Sequence, residues 1–536
     1  MRAKIHRIVY LLLLVLLAVS MTTSNFLMNL AWVLLFANWV IEWDMKRKFS
    51  ELSHNWLLMS FLLLLVLHLV GLIWTDNLAY GLDDIRKKLP LFAIPLVVLT
   101  SKPLTRRQWQ PVAFVYVGTV LVVSVIGLVR YLTIADLPYR RIVPFISHIR
   151  FCLNICMSIV LLLSAIAGAA RQGTAKSRWI IVGAIVLILW LLFFMLLVQS
   201  YTGFAILFVT ATVCLVAGWR RFSNKLRWSL MGVLLAVVVA TVGVSAYYVN
   251  EYYNGTSAVT ADSKTFTYKT VNGNPYTYAH DGLVENGNCV NDRVCEEEIR
   301  REWAQVSRYP VDSMTSTGYP LYPALLRYLN ASGLGKDSVG VHSLTATDIK
   351  AIEQGVGNPV YLQPVSLRKM FYVMLFEYEN YRCYHSVKDF TMLQRFELWH
   401  NGWQVFVSHP VIGVGTGDVY DSCLQQLETA GSPLAGTTKH THNQYLALLV
   451  AFGAVGFLLW LCTVLYAVVR QRLMQSLKFA AAFIIVAVSF LTEDTLETLA
   501  GVVFVAFFLS LLSQQIDSAG NDLPSAVNHG PTMDQP

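Results

Sequence analysis

The sequence predicts an all-α polytopic membrane protein, with about twelve transmembrane helices and one large, mostly helical domain outside the bilayer. Three observations lead there. Hydrophobic residues make up 55% of the 536 residues and charged residues only 14%, where a soluble domain carries about a quarter. Apolar runs long enough to cross about 30 Å of hydrocarbon recur along the chain. A single long segment, 250–441, is instead polar, rich in Tyr and broken by Gly, Pro and Asn. Together these exclude a cytosolic enzyme, a disulfide-stapled secreted module and a disordered scaffold.

In chain order the apolar runs fall near 7–21, 24–42, 55–74, 111–132, 150–170, 179–199, 201–219, 228–249, 443–469, 478–493 and 497–514, with a shorter twelfth at 85–100 weakened by Pro90 and Pro95. Arg2, Lys4 and Arg7 precede the first run as in a signal peptide. No small-residue cleavage site clearly follows and the next run begins at once, which predicts a retained helix. With the N-terminus inside, every inner loop is basic: Lys46, Arg47 and Lys48; Lys102, Arg106 and Arg107; Arg171, Lys176 and Arg178; Arg220, Arg221, Lys225 and Arg227; Arg470, Arg472 and Lys478. That is the bias the positive-inside rule requires, and it places both termini in the cytoplasm.

The expected organisation is an N-terminal membrane domain of about nine helices at 1–249, an exterior domain carrying the candidate motif at 250–441, a C-terminal membrane domain of about three helices at 442–515, and a disordered cytoplasmic tail at 516–536. The exterior segment holds 15 Lys and Arg against 20 Asp and Glu, a net of −5, so the rest of the chain carries +13 of the formal +8. Most of that positive charge reports orientation, not a nucleic-acid partner. Helices are expected in the exterior segment at 294–307, 322–333, 346–355, 365–381 and 392–408. Its aromatic residues, Trp303 and Tyr328 among them, suit either sugar stacking or a core, and the core is the plainer reading. Cys152, Cys156, Cys214 and Cys462 fall in apolar runs as packing residues, while Cys289, Cys295, Cys383 and Cys423 lie outside. An oxidising compartment permits two disulfides there, and Cys289 with Cys295 is the expected pair because five intervening residues close a tight loop.

No P-loop, dinucleotide fingerprint, serine-hydrolase elbow or zinc-protease helix occurs. The informative stretch starts at Gln394 with QRFELWHNGWQVFVSHPVIGVGTGD and resumes with KHTHNQYLALLVAFGAVGFLLWL into a membrane run. It sets Arg395, a glycine turn at Gly413, Gly415 and Gly417, and the pair His440 and His442 just outside the bilayer. A guanidinium held at fixed depth can grip a phosphate in a bidentate way. A neutral imidazole nearby can take a proton from a hydroxyl at neutral pH. The bland alternative pairs Arg395 with Glu397 or Asp418 and lets the histidines cap the membrane helix.

The run from Arg395 to Asp418, followed by His440-Thr441-His442-Asn443-Gln444-Tyr445-Leu446 and Gly453 to Gly456, resembles the O-antigen ligase and polymerase superfamily. The resemblance implies metal-independent, inverting transfer of a glycan from undecaprenyl diphosphate to an acceptor hydroxyl, at the periplasmic face of a bacterial inner membrane and without a cofactor. It implies that His442 is the general base, with His440 a secondary candidate, and that Arg395 binds diphosphate. One departure stands out. Where members often carry Ser-Arg-Thr-Gly between two central spans, this chain has Ser200-Tyr201-Thr202-Gly203. The substitute cations are expected in the outer loop between the fifth and sixth spans, where Arg140, Arg141 and Arg150 accompany Arg130 and His148, with only Asp136 as an acid.

Two rival chemistries have residues to support them. Asp83 and Asp84 could serve as a base or a Mg²⁺ site, although Lys87 and Lys88 stand beside them to neutralise them. A metal at His440, His442 and His400 or His409 is disfavoured because histidines two apart do not share a helical face. Three functions follow: a ligase joining a glycan to lipid A core, a polymerase or protein O-oligosaccharyltransferase using the same donor, or a transporter of lipid-linked glycan. The scarcity of charge inside the apolar runs speaks against transport.

Overall fold

The computed structural model describes residues 2–134, 137–219, 223–254, 268–279, 282–363, 366–385, 387, 391–437 and 440–520. Asp136, Arg220, Arg221 and the tail past Gly520 therefore lie outside the described residues. In hydrocarbon only a helix satisfies every backbone amide within its own segment, so each apolar run folds as one. They are α1 (Arg2–Thr23), α2 (Asn25–Glu42) and, after the polar helix α3 (Met45–His54), α4 (Trp56–Val70), α5 (Leu78–Thr100), α6 (Arg106–Thr133), α7 (His148–Ala170), α8 (Ala175–Leu197), α9 (Tyr201–Ala217) and α10 (Asn224–Asn254). The polar segment follows with a short hairpin, β1 (Val284–Glu285) and β2 (Asn288–Cys289), then α11 (Glu296–Val306), α12 (Leu321–Ala331), α13 (Ser338–His342), α14 (Ala346–Glu353), α15 (Leu367–Tyr384), α16 (Thr391–Ser408) and α17 (Val419–Thr429). The chain closes with α18 (Gln444–Arg470), α19 (Leu477–Thr492) and α20 (Leu499–Gly520).

The protein is all-α and polytopic. Among the described residues, seven helices (α1, α2, α6, α7, α8, α10 and α18) are long and apolar enough to cross a membrane, and α3 with α4, bent by 87°, makes an eighth if the pair is one span. Tyr201–Ala217, Leu477–Thr492 and Leu499–Gln514 are shorter apolar helices. The run weakened by two prolines is a 23-residue helix, α5, started by the Asn77 side chain, which accepts the Tyr80 N–H. Pro90 and Pro95 are both buried within it, a setting in which membrane helices tolerate the lost hydrogen bonds.

The chain divides into two compact units, Met1–Arg227 with Leu398–Pro536, and Trp228–Glu397. In the first, α1 packs on α2 and α6, α7 on α8, α18 on α4, α19 on α9 and α7, and α20 on α5. Leu14, Leu17, Phe151, Cys156, Phe194, Phe507 and Phe508 are at the centre of its core. Residues 398–441, read above with the exterior segment, belong to this unit.

The second unit has its own core around Ile299, Trp303, Leu325, Tyr328 and Ile352. Trp303 is fully buried and its indole donates to the Tyr309 carbonyl at 3.0 Å, so it builds the core. The Arg327 guanidinium forks onto buried Glu285 at 2.9 and 3.1 Å, and Asn358 donates to the same carboxylate at 2.8 Å. A buried pair survives when its remaining hydrogen-bonding capacity is met in this way. α11, α12, α14, α15 and α16 coincide with the expected helices; α13, of five residues, is too short for periodicity to reveal, and α17 is not among those expected. The expected Cys289–Cys295 bond is not formed, and all eight cysteines are thiols. The Cys289 thiol points to the Ala279 carbonyl at 3.2 Å, and Cys295 opens α11 with its N–H on the Lys336 carbonyl.

Candidate active site

The first unit gathers its polar side chains where α18 begins. The helix starts at Gln444 because the Asn443 side chain accepts the Leu446 N–H at 3.1 Å, a standard N-cap. Just before the cap, His442 adopts φ 48°, a left-handed conformation that costs a non-glycine residue roughly 1 kcal/mol. One carboxylate imposes it. Asp494 accepts the Thr441 hydroxyl at 3.0 Å, the His442 N–H at 2.7 Å and the Asn443 N–H at 2.9 Å.

Asp494 is in turn held by the turn between α19 and α20. Arg150, near the start of α7 and 6% exposed, donates to the Asp494 carbonyl at 2.8 Å, to Thr498 at 3.0 Å and to Thr495 at 3.4 Å. Its guanidinium also lies 3.8 Å from Glu493. Gln444 locks the other side, accepting the Leu496 N–H at 2.7 Å and donating to Glu497 at 3.3 Å. The imidazole of His442 is 37% exposed, with Nδ1 3.6 Å from Asp494 and 3.9 Å from Glu493. Trp399 on α16 reaches the His442 carbonyl at 3.4 Å.

The glycine turn supplies the floor. α18 breaks at Gly453, whose φ of 63° and ψ of −171° are open essentially to glycine alone. A Cβ there would lie 2.3 Å from the Val411 carbonyl carbon. Residues 410–415 bond along this broken helix: the Val414 N–H to Val450, the Gly415 N–H to Ala451, and the Ala454 N–H to Pro410, at 2.8 to 3.0 Å. Asp418 then takes the Asp76 and Asn77 N–H groups at 2.8 Å each. That fixes the start of α5 and settles Asp418 as an anchor of the loop.

Beside His440 and Thr441 is a cavity of about 30 Å³, lined among others by His68, Asp84, Lys88, His440, Asp494 and Glu497, room for a water or two. Lys88 bridges Asp84 at 2.7 Å and Glu497 at 3.0 Å, and His68 stands 3.8 Å from Asp84. Lys87 meets Asp83 at 2.7 Å, so both acids expected to be neutralised by lysine are. The His440 ring lies 5.7 Å from that of Tyr420, itself stacked on Tyr80 at 6.0 Å. Burial raises the Tyr80 phenol above its ordinary range and pushes the Cys423 thiol up to about 12, leaving both protonated at neutral pH.

Of the sequence candidates, His440, His442 and Arg150 are thus brought to one region. Arg140 and Arg141 are exposed on the turn Tyr139–Arg141, where Arg140 donates to the Tyr139 hydroxyl at 3.1 Å. Arg395, half-buried on the first half of α16, belongs to the second unit. Tyr201 follows Ser200, whose hydroxyl caps α9 by accepting the Gly203 N–H at 3.2 Å. Among the described residues no group of three or more His, Cys, Asp and Glu side chains could hold a metal ion. Sequence reading missed the turn Glu493–Thr498 altogether. Its signal was present: three acids and two threonines within six residues, which the rule on charge in membrane segments marks for attention.

Residues 356–461 match the family model described as O-antigen ligase, a span that includes Arg395, both histidines and the Gly453 break. No curated protein matches the chain.

Proposed function

We propose, taking the chain as a member of the O-antigen ligase superfamily, that it transfers a glycan from undecaprenyl diphosphate to an acceptor hydroxyl, lipid A core in the first instance, at the periplasmic face of the inner membrane. The observation that carries the reading is the clamp of Asp494 on Thr441, His442 and Asn443. It spends a buried carboxylate and a left-handed backbone on aiming one partly exposed imidazole. Carboxylates beside Nδ1 favour the tautomer protonated there and leave Nε2 as the basic nitrogen.

In the proposed step the acceptor oxygen attacks the anomeric carbon and its proton passes to His442. The bond from that carbon to the diphosphate breaks, the electron pair leaving with the diphosphate. Attack opposite the leaving group inverts the sugar carbon. Cations that meet the charge developing on the diphosphate lower the barrier most. Arg395 keeps the role the resemblance assigns it, with Arg140 and Arg141 as further diphosphate ligands. Arg150 acts through the clamp, because its guanidinium is already occupied by the 493–498 turn. No metal is part of the proposal.

Deleting the gene tests the acceptor: a ligase leaves lipid A core bare while lipid-linked polymer accumulates. Core carrying a single repeat would identify a polymerase, and normal lipopolysaccharide beside unglycosylated periplasmic proteins would identify protein glycosylation. For the chemistry, His442→Ala should abolish transfer while the protein still inserts, and EDTA should leave the wild type unaffected. Full activity in His442→Ala, or loss of activity in EDTA, would overturn the base assignment.

A further inference from the structure

A second cavity, of about 700 Å³, lies between α6, α7 and α8 and shares no lining residue with the one beside His440. Its volume is that of a small-ligand pocket. Most of its wall is apolar, and glycine keeps it open: a Cβ at Gly118 or Gly183 would meet nothing within 4 Å, and one at Gly168 would meet only the Arg106 guanidinium, at 3.7 Å. At one end the lining changes character, to Arg106, Gln110, Gln172, Trp179 and Lys478, and no carboxylate is among the described lining residues.

The chain around that end is equally one-sided. Stretches 101–111, 168–180 and 473–480 contain seven Lys and Arg and no Asp or Glu. α6, α8 and α19 also begin there, so three helix N-termini add partial positive charge. Trp109 is buried against the cavity while Trp179 is 78% exposed at its mouth, the placement an aromatic side chain takes where hydrocarbon meets headgroups.

We propose that this groove is a binding site for an anionic phospholipid, its acyl chain between α6, α7 and α8 and its phosphate on Arg106 and Lys478. The apolar wall suits hydrocarbon and excludes a polar metabolite. The charge at the mouth favours an anionic headgroup over a zwitterionic one, by about fivefold for each cation beside the phosphate.

The test is native mass spectrometry of the full chain in detergent, given phosphatidylglycerol and phosphatidylcholine in equal amounts. Retention of phosphatidylglycerol in preference is expected, and Arg106→Gln with Lys478→Gln should lower it about 30-fold. Gly183→Trp fills the groove without touching a charge and should weaken retention as well. Arg106→Lys with Lys478→Arg should preserve it, which separates lost charge from a misfolded variant. Equal retention of both lipids, undiminished phosphatidylglycerol in the glutamine variant, or no effect of Gly183→Trp would overturn the proposal. Displacement of phosphatidylglycerol by a polyprenyl phosphate at lower concentration would overturn the choice of occupant.

Discussion

Asp494→Asn is the sharpest test of the candidate site. In the wild type one carboxylate oxygen accepts the Thr441 hydroxyl at 3.0 Å and the Asn443 N–H at 2.9 Å, and the other accepts the His442 N–H at 2.7 Å. An amide keeps one acceptor oxygen, so the best it can do is hold the first pair while its NH2 faces the His442 N–H. One charge-assisted hydrogen bond is lost and two buried donors are opposed, about 2 kcal/mol. His442 is then held less firmly at φ 48°, and relaxation towards an extended backbone releases roughly 1 kcal/mol more. If the whole loss falls on the placement of the imidazole, transfer drops about 100-fold. The assay is glycan transfer in proteoliposomes with purified lipid-linked donor, comparing kcat and KM at equal amounts of folded protein. The expected result is a fall in kcat with the donor KM little changed, because the carboxylate does not meet the donor. A folded Asn variant retaining more than about half of wild-type kcat would refute the claim that the clamp positions the histidine.

Further outcomes follow from the same geometry. A Cβ at Gly501 would fall 1.9 Å from the Thr495 carbonyl, so Gly501→Ala should displace the 493–498 turn and lower both transfer and the thermal unfolding midpoint of the purified protein, by several degrees for the latter. Gly453→Ala meets strain and a backbone clash together and should cost several kcal/mol, read as loss of a monodisperse peak in size-exclusion chromatography. Arg150→Ala should reduce transfer more than Tyr201→Phe does, since Arg150 holds the Asp494 carbonyl and Tyr201 is 48% exposed; the reverse order in the same transfer assay would refute this. In the second unit, burial pushes the Glu298 carboxyl up, but bonds from Thr270, Asn274 and the Ser338 N–H outweigh it and hold the group at about 2. A carboxyl lowered on folding stabilises the native state above its unfolded value and loses that contribution as pH falls through the folded one. Amide exchange in α11 and α13 should therefore quicken, beyond its intrinsic pH dependence, as pH drops below about 4.5 towards 2, and Glu298→Gln should flatten the response.

Much of the fold was legible because membrane helices are specified locally. A run of about twenty apolar residues must satisfy its own amides, so α1, α2, α6, α7, α8, α10 and α18 could be placed without knowing their neighbours. The same reasoning placed α11, α12, α14 and α15 through their apolar periodicity. It gave α5 only as a short run at 85–100, because Pro90 and Pro95 argue against a helix that buried packing sustains from Leu78 to Thr100. For the candidate site, the sequence singled out His442 and the glycines through their pattern. It could not show that the carboxylate serving His442 stands 52 residues later, since a long-range contact leaves no spacing to read. Arg150 shows the same limit: as an outer-loop arginine at a span start it reads as a phosphate ligand, and only the tertiary structure shows its guanidinium bonded to Asp494, Thr495 and Thr498.

The sequence by itself determined the membrane class and most of the helical segments, and it carried the motif that resembles the O-antigen ligases, because hydrophobicity, charge bias and short motifs are properties of neighbouring residues. Tertiary structure alone decided which side chains meet. The return of α18, α19 and α20 against α4, α5, α7 and α9 brings Asp494, Arg150 and Lys88 from three distant parts of the chain to the region of His440 and His442. In a low-dielectric interior such groups must pair with one another, and which ones pair is settled by packing, not by their order in the chain.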